Sequence, residues 1–197
     1  MHIDPQHVTG LILAGGRGSR MGHVDKGLQT FRGAPMVLHV ILRLRQQVGT
    51  LMINANQNLG LYEGFGLPVW PDQFGGFEGP LAGLQTGLSR CDTDYLVTAP
   101  CDSPFLPEDL VRRLGTALLE QQADLAVAVT EEEGRHQPQP VFCLMKADVP
   151  ASLTLFLQEG GRKIDAWYRS LNFVEVDFPD ADAFRNINTL EELRRYE

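Results

Sequence analysis

The sequence predicts a single three-layer α/β domain built on a mainly parallel sheet. Two observations carry this reading. Short apolar runs alternate with amphipathic helical segments over about the first 130 residues, the pattern of parallel strands covered by helices on both faces. The 197 residues also suit one hydrophobic core, and no internal repeat, low-complexity tract or linker divides them.

The elements follow in order. Residues 8–13 form an apolar run that ends abruptly at Ala14-Gly15-Gly16-Arg17-Gly18, a buried strand running into a glycine loop. Residues 35–46 place Met36, Val37, Val40, Ile41 and Leu44 at helical spacing with basic residues between them. Residues 51–54 and 67–70 read as strands, and 73–79, with three glycines and no periodicity, as a loop. Residues 80–88 predict a helix with Pro80 in its first turn. Residues 95–99 form a strand stopped by Pro100, and 107–121 carry Leu110, Val111, Leu114, Ala117 and Leu118 on one helical face. Strands at 125–129 and 141–145 are expected to flank a polar turn at 130–137. Short helices at 151–157 and 163–168, a strand at 173–176 and a helix at 189–196 complete the chain. Thr189 and Glu192 make a capping box for that last helix.

Composition excludes several function classes. Seventeen basic against 25 acidic residues give a net charge of −8, which argues against a general nucleic-acid or membrane-surface binder. Cys91, Cys101 and Cys143 are odd in number and lack C-x-x-C spacing, so neither a disulfide framework nor a zinc site is expected, and a reduced cytoplasm is. The first ten residues lack the basic and apolar regions of a signal peptide, and no apolar stretch approaches the roughly 20 residues of a membrane span. His2, His7, His23 and His39 show no ligand spacing.

The chemistry concentrates in Leu13-Ala14-Gly15-Gly16-Arg17-Gly18-Ser19-Arg20-Met21-Gly22, followed by Asp25-Lys26-Gly27. Glycines let a backbone turn sharply and bring its N–H groups to an anion. A dinucleotide fingerprint would need a glycine where Met21 stands. A Walker A loop needs Gly-Lys-Ser/Thr, whereas Lys26 precedes Gly27 and Leu28. What remains is a strand end, clustered glycines, then Arg20 and Lys26, a fork and a point charge suited to phosphate oxygens. On the residues alone the segment is either a triphosphate cradle or a tight turn with solvated charges. Asp102, between Pro100 and Pro104 at the carboxyl edge of a strand, is either a ligand for a hard cation or a turn residue ahead of Pro107.

The run L-A-G-G-x-x-x-R-M-G-x-x-D-K-G resembles the signature of the molybdenum cofactor guanylyltransferases. The likeness continues through Asn54-Ala55-Asn56, Asp72, Glu78-Gly79-Pro80-Leu81-Ala82-Gly83 and Pro100-Cys101-Asp102-Ser103-Pro104 to Asn186-Ile187-Asn188-Thr189, in order over nearly the whole chain. The resemblance implies a Rossmann-like, GT-A-like nucleotidyltransferase fold spanning residues 1–197, with a GTP-binding N-terminal half and a pterin-facing C-terminal half. It implies that Asp102 binds Mg²⁺ and that nucleotide contacts fall on Leu13, Ala14, Gly15, Lys26, Asn54, Asp72 and Asp102. For a reaction that joins two anions, Arg20, Lys26 and Asp102 with its metal are the residues expected to serve catalysis by positioning and charge neutralisation. GTP and Mo-molybdopterin are the implied substrates. Molybdenum-cofactor biosynthesis proteins and apo-molybdoenzymes are the implied partners of a monomeric, cytoplasmic protein.

The guanylyl branch carries Leu-Ala-Gly-Gly where cytidylyl relatives have a second Ala for the first Gly. Gly15 and the Pro-Cys-Asp-Ser-Pro run both fall on the guanylyl side. A missing Cβ leaves room for a purine, and a glycine-only backbone angle at residue 15 is a further expectation. Arg135, Arg162 and Lys163 are the candidate basic residues on the pterin side, with Gly160-Gly161-Arg162-Lys163 a possible second anion loop. His136-Gln137-Pro138 departs from the family's His-Pro-Thr or Gln-Pro-Leu forms. Transfer of CMP to the same pterin, transfer of NMP to a sugar phosphate, and a non-catalytic cofactor carrier are the rival readings. Arg20, Lys26 and Asp102 together favour catalysis over carriage, because a carrier has no leaving pyrophosphate to neutralise.

Overall fold

A computed structural model describes residues 2–15, 25–73, 79–132 and 134–196. Its centre is a seven-stranded sheet. Strand β1 (Val8–Leu13) is an inner strand, flanked in parallel by β4 (Thr50–Asn54) and β6 (Tyr95–Pro100), with β5 (Val69–Trp70) parallel beyond β4. On the other side β8 (Arg135–Lys146) runs antiparallel between β6 and β7 (Leu125–Glu132), and β9 (Phe173–Phe178) pairs parallel with β7. The order is therefore β5-β4-β1-β6-β8-β7-β9, with β2 (Thr30–Phe31) and β3 (Ala34–Pro35) forming a separate two-stranded ribbon.

Alternation along the strands divides the core into two halves. Val8 and Ile12 of β1, Val97 and Ala99 of β6, and Phe142 and Leu144 of β8 face one side. They meet α1 (Met36–Arg45) through Val37, Val40, Ile41 and Leu44, and α4 (Leu110–Glu120) through Leu110, Val111, Leu114 and Leu118. Leu11, Leu13, Leu96, Cys143 and Met145 face the other. There α3 (Pro80–Ser89), α5 (Pro150–Gln158) and α6 (Ile164–Tyr168) contribute Leu81, Leu84, Leu153, Leu157, Trp167 and Tyr168. Each fully buried aliphatic side chain contributes about 1.5–3 kcal/mol relative to exposure, so the periodicity that marks these helices also orients them. The three-layer expectation holds.

Two expectations change. The polar segment at 130–137 is not a free turn. It is the outer part of a β7–β8 hairpin, paired Thr130 to Gln137, Glu131 to His136 and Glu132 to Arg135, with Gly134 at φ +73°. From Glu131 to Gln137 the described residues are exposed, so their composition resembles a turn while the paired backbone extends. Strand β6 also includes Pro100, whose Cα pairs with Leu13. Helix α2 (Leu59–Glu63) is too short to carry a periodic signal. The last helix, α7 (Leu190–Tyr196), has the predicted capping box: Glu192 N donates to Thr189 Oγ1 at 3.1 Å, and the Glu192 carboxylate accepts from Thr189 N and, at 2.7 Å, from Asn188 N.

Candidate active site

The parallel strands all end at one edge. Sheet register sets Leu13, Asn54, Trp70 and Pro100 in a single row, each the last residue of its strand. Backbone bonds carry the row one residue further: Ala14 N donates to Asn54 O, Ala55 N to Trp70 O and Cys101 N to Leu13 O. Residues immediately beyond the row, Ala14, Gly15, Asn56, Asp72 and Asp102, are therefore positioned by the sheet, in the crevice where open α/β sheets bind ligands.

On the β4–β5 side two amides hold one carboxylate. Asn54 Nδ2 donates to Asp72 Oδ1 at 2.9 Å and also to Trp70 O, while Asn56 Nδ2 donates to Asp72 Oδ2 at 2.8 Å. Asp72 N returns a bond to Asn56 Oδ1. Gly15 borders this cluster: a Cβ there would stand 3.1 Å from Asn56 Nδ2 and 3.2 Å from Asn54 Oδ1. Its backbone is not in the left-handed region, so the expected glycine-only angle is absent and the constraint is one of space.

On the β6 side lies a charged cluster. Lys26, in a single 3₁₀ turn (Lys26–Leu28), donates from Nζ to Asp102 Oδ2 at 3.2 Å and to Asn188 Oδ1 at 2.6 Å. Asp102 is only 7% exposed, with the segment before α7 bonded to its backbone. Ile187 N donates to Asp102 O at 2.9 Å, and Ser103 Oγ donates to Asn186 Oδ1. Asn186 and Asn188 thus reach into the site; the capping box satisfies the helix start without their amides. Burial raises the Asp102 carboxyl above the ordinary carboxylate value of 3.8, and the Lys26 ammonium pulls it back part of the way.

Burial, reinforced by the Asp102 carboxylate, pushes the Cys101 thiol well above its ordinary value, which suits packing rather than nucleophilic attack. Arg162 donates to the carbonyls of Leu157 and Gly161 at the end of α5. Between the hairpin and the segment leading to Asn186 is a polar cavity of about 390 Å³ lined by Glu132, Gln137, Gln139, Ala181, Phe184 and Arg185.

The structure thus gathers Leu13, Ala14, Gly15, Asn54 and Asp72 on one side of the crevice and Lys26 with Asp102 on the other. Arg20 and Glu78 lie outside the described residues, as does the glycine run from Gly16 to Gly22. Sequence reasoning missed Asn58 and Tyr62 of the α2 region, which bond the Asp25 carboxylate; a five-residue helix with one buried side chain leaves no pattern to find.

Comparison with known proteins identifies the family. The MobA-like NTP transferase domain matches residues 10–172. A molybdenum cofactor guanylyltransferase of Bordetella petrii is 58% identical over 193 residues, 98% of each chain. One of Cupriavidus necator is 59% identical over 196 residues, 99% of this chain and 98% of that one. The crystal structure of molybdopterin-guanine dinucleotide biosynthesis protein A from Archaeoglobus fulgidus superposes with a TM-score of 0.77 at 22% identity, covering 96% of both chains, which bears on the fold. The chain belongs to the MobA-like NTP transferases, and within them to the molybdenum cofactor guanylyltransferases.

Proposed function

We propose that this protein transfers GMP from GTP to the molybdenum cofactor, Mo-molybdopterin, forming the guanine dinucleotide form of the cofactor and releasing pyrophosphate. The observation that carries the reading is the Lys26–Asp102 pair beside the amide-held Asp72 at one sheet edge, in a chain 58% identical to a protein named for this activity.

The acceptor is a phosphate monoester, whose second pKa of about 6 leaves it mostly dianionic at neutral pH. It needs no general base. The problem is to bring two anions together and to stabilise the departing pyrophosphate, so positioning and charge dominate. Lys26 supplies a fixed positive charge, already oriented by Asp102 and Asn188. Asp72 presents two carboxylate oxygens, which complement the adjacent N1–H and N2–H₂ donors of guanine and oppose the N3 acceptor of cytosine. Asn54 and Asn56 hold that carboxylate in place. Arg20 is assigned to the triphosphate on its sequence position. The pterin is assigned to the C-terminal side, toward the polar cavity lined by Gln137 and Gln139.

Mg²⁺ fits Asp102. A hard cation bound chiefly by phosphate oxygens and water takes one or two carboxylates, and Asp102 offers a buried one whose charge Lys26 only partly offsets. When bound there the ion would neutralise phosphate charge in the transition state. Phosphate oxygens of the nucleotide and water would complete the coordination sphere.

The test is to incubate the protein with Mo-molybdopterin, Mg²⁺ and each of four labelled nucleoside triphosphates and to identify the products. The guanine dinucleotide, formed with stoichiometric pyrophosphate, is expected. A cytosine dinucleotide as the main product, or binding with no transfer from any nucleotide, would contradict the proposal.

A further inference from the structure

Residues 25–27 are held from two directions. On one side Lys26 Nζ donates to Asp102 and Asn188. On the other, the Asp25 carboxylate accepts from Tyr62 Oη at 2.5 Å and from Asn58 Nδ2 at 3.0 Å. Gly27 closes against the same hydroxyl: a Cβ there would lie 2.6 Å from Tyr62 Oη and 3.1 Å from Cys101 Sγ. Tyr62 is the buried residue of α2, fully enclosed between this turn and the core on the α1 side of the sheet.

A buried hydroxyl needs a partner, and packing alone would account for a tyrosine bonded to any nearby carbonyl. This one donates instead to the carboxylate immediately before the lysine of the site. The bond is charge-assisted, and burial together with the neighbouring carboxylates holds the proton on the phenol, so the direction of donation is fixed. The carboxylate is pinned by two side chains of one short segment, Asn58 and Tyr62. Among the described residues, the other bonds of the turn carrying Lys26 on that side are local: Gln29 Nε2 donates to Asp25 O at 3.4 Å, and the turn's own bonds run from Leu28 N to Asp25 O and from Gln29 N to Lys26 O.

We propose that Tyr62 is a positioning residue for nucleotidyl transfer: its hydroxyl fixes Asp25, and through Asp25 it sets the turn from which Lys26 reaches Asp102 and the triphosphate. This rests on the reading of Lys26 as a triphosphate contact.

The experiment is a double-mutant cycle on the full chain. kcat and KM for GTP are measured with Mo-molybdopterin and Mg²⁺, alongside GTP affinity by calorimetry without the pterin, for wild type, Tyr62→Phe, Lys26→Ala and the double variant. All assays run well below the lowest melting temperature. Lys26→Ala is expected to lower kcat/KM ten- to roughly a hundredfold through loss of a charged contact. Tyr62→Phe, which keeps the ring, is expected to lower it about tenfold. In the Lys26→Ala background the second change should cost no more than about twofold, because the hydroxyl acts through the lysine. A structural role would give the same loss in both backgrounds, and that result overturns the inference. So does wild-type behaviour of Tyr62→Phe beside an impaired Lys26→Ala, which leaves the site reading intact. Wild-type behaviour of Lys26→Ala would withdraw both.

Discussion

A methyl group added at Gly15 would press on two amides at once. Asn54 and Asn56 would have to give by a few tenths of an ångström, and each is already bonded to one oxygen of Asp72. On the proposed reading, space at residue 15 would act on base choice through the carboxylate, as well as through the room left for the purine. Gly15→Ala is expected to lower kcat/KM for GTP by about tenfold, the effect of displacing one hydrogen-bonded contact, and to lower CTP use less. Equal losses for the two nucleotides would mean that Gly15 serves the turn or the phosphates. At this scale the sequence was informative where a residue's chemistry is rare in its setting: Asp72 and Asp102 are carboxylates just past strand ends, Lys26 is a cation following a glycine loop, and the family likeness singled out all three. It gave no sign of the bonds that Asn188 and Tyr62 make. Their partners lie 162 and 37 residues away, a distance that no local pattern encodes.

Helix α3 packs on β1 and β4 through small residues, and its glycines differ in what they touch. A Cβ at Gly87 would meet the Leu11 side chain at 2.3 Å, the mobile end of an aliphatic group in the core. A Cβ at Gly83 would fall 2.2 Å from Asn54 Oδ1 and 2.8 Å from Asn54 Cγ, and Asn54 cannot swing away without releasing Trp70 O and Asp72. Alanine is the better helix former by about 1 kcal/mol, so propensity favours both substitutions and contact opposes both. Gly87→Ala is expected to change melting temperature with KM for GTP preserved. Gly83→Ala is expected to raise KM for GTP severalfold, roughly the loss of one neutral hydrogen bond. Unchanged KM in Gly83→Ala, measured by initial rates, would detach α3 from the nucleotide site. Helices of ten or more residues were legible from periodicity, α1 and α4 almost to their ends. The β7–β8 hairpin was not, because solvent-facing strand residues and turn residues share the same composition.

For the molecule as a whole, the site is a stability cost carried at the sheet edge. The folded chain holds the Asp102 proton to higher pH than the unfolded chain does, since burial raises its pKa above 3.8. Between those two values the native state binds more protons, so stability falls as pH rises through the range. In chelator-containing buffer, Asp102→Asn is therefore expected to melt no lower than wild type at pH 7. Its relative advantage should shrink as pH falls toward 3.8, followed by calorimetry across that range. A variant that melts well below wild type at pH 7 would show that the Lys26 pair outweighs burial. The same residue gives the most direct test of the central claim, that GMP transfer occurs at this edge of the sheet. Turnover of GTP and Mo-molybdopterin with Mg²⁺ is measured for wild type and Asp102→Ala, each confirmed folded by its melting transition. The account predicts guanine dinucleotide formation by wild type and loss of turnover in a folded Asp102→Ala; near-normal Mg²⁺-dependent product formation by that variant would contradict it.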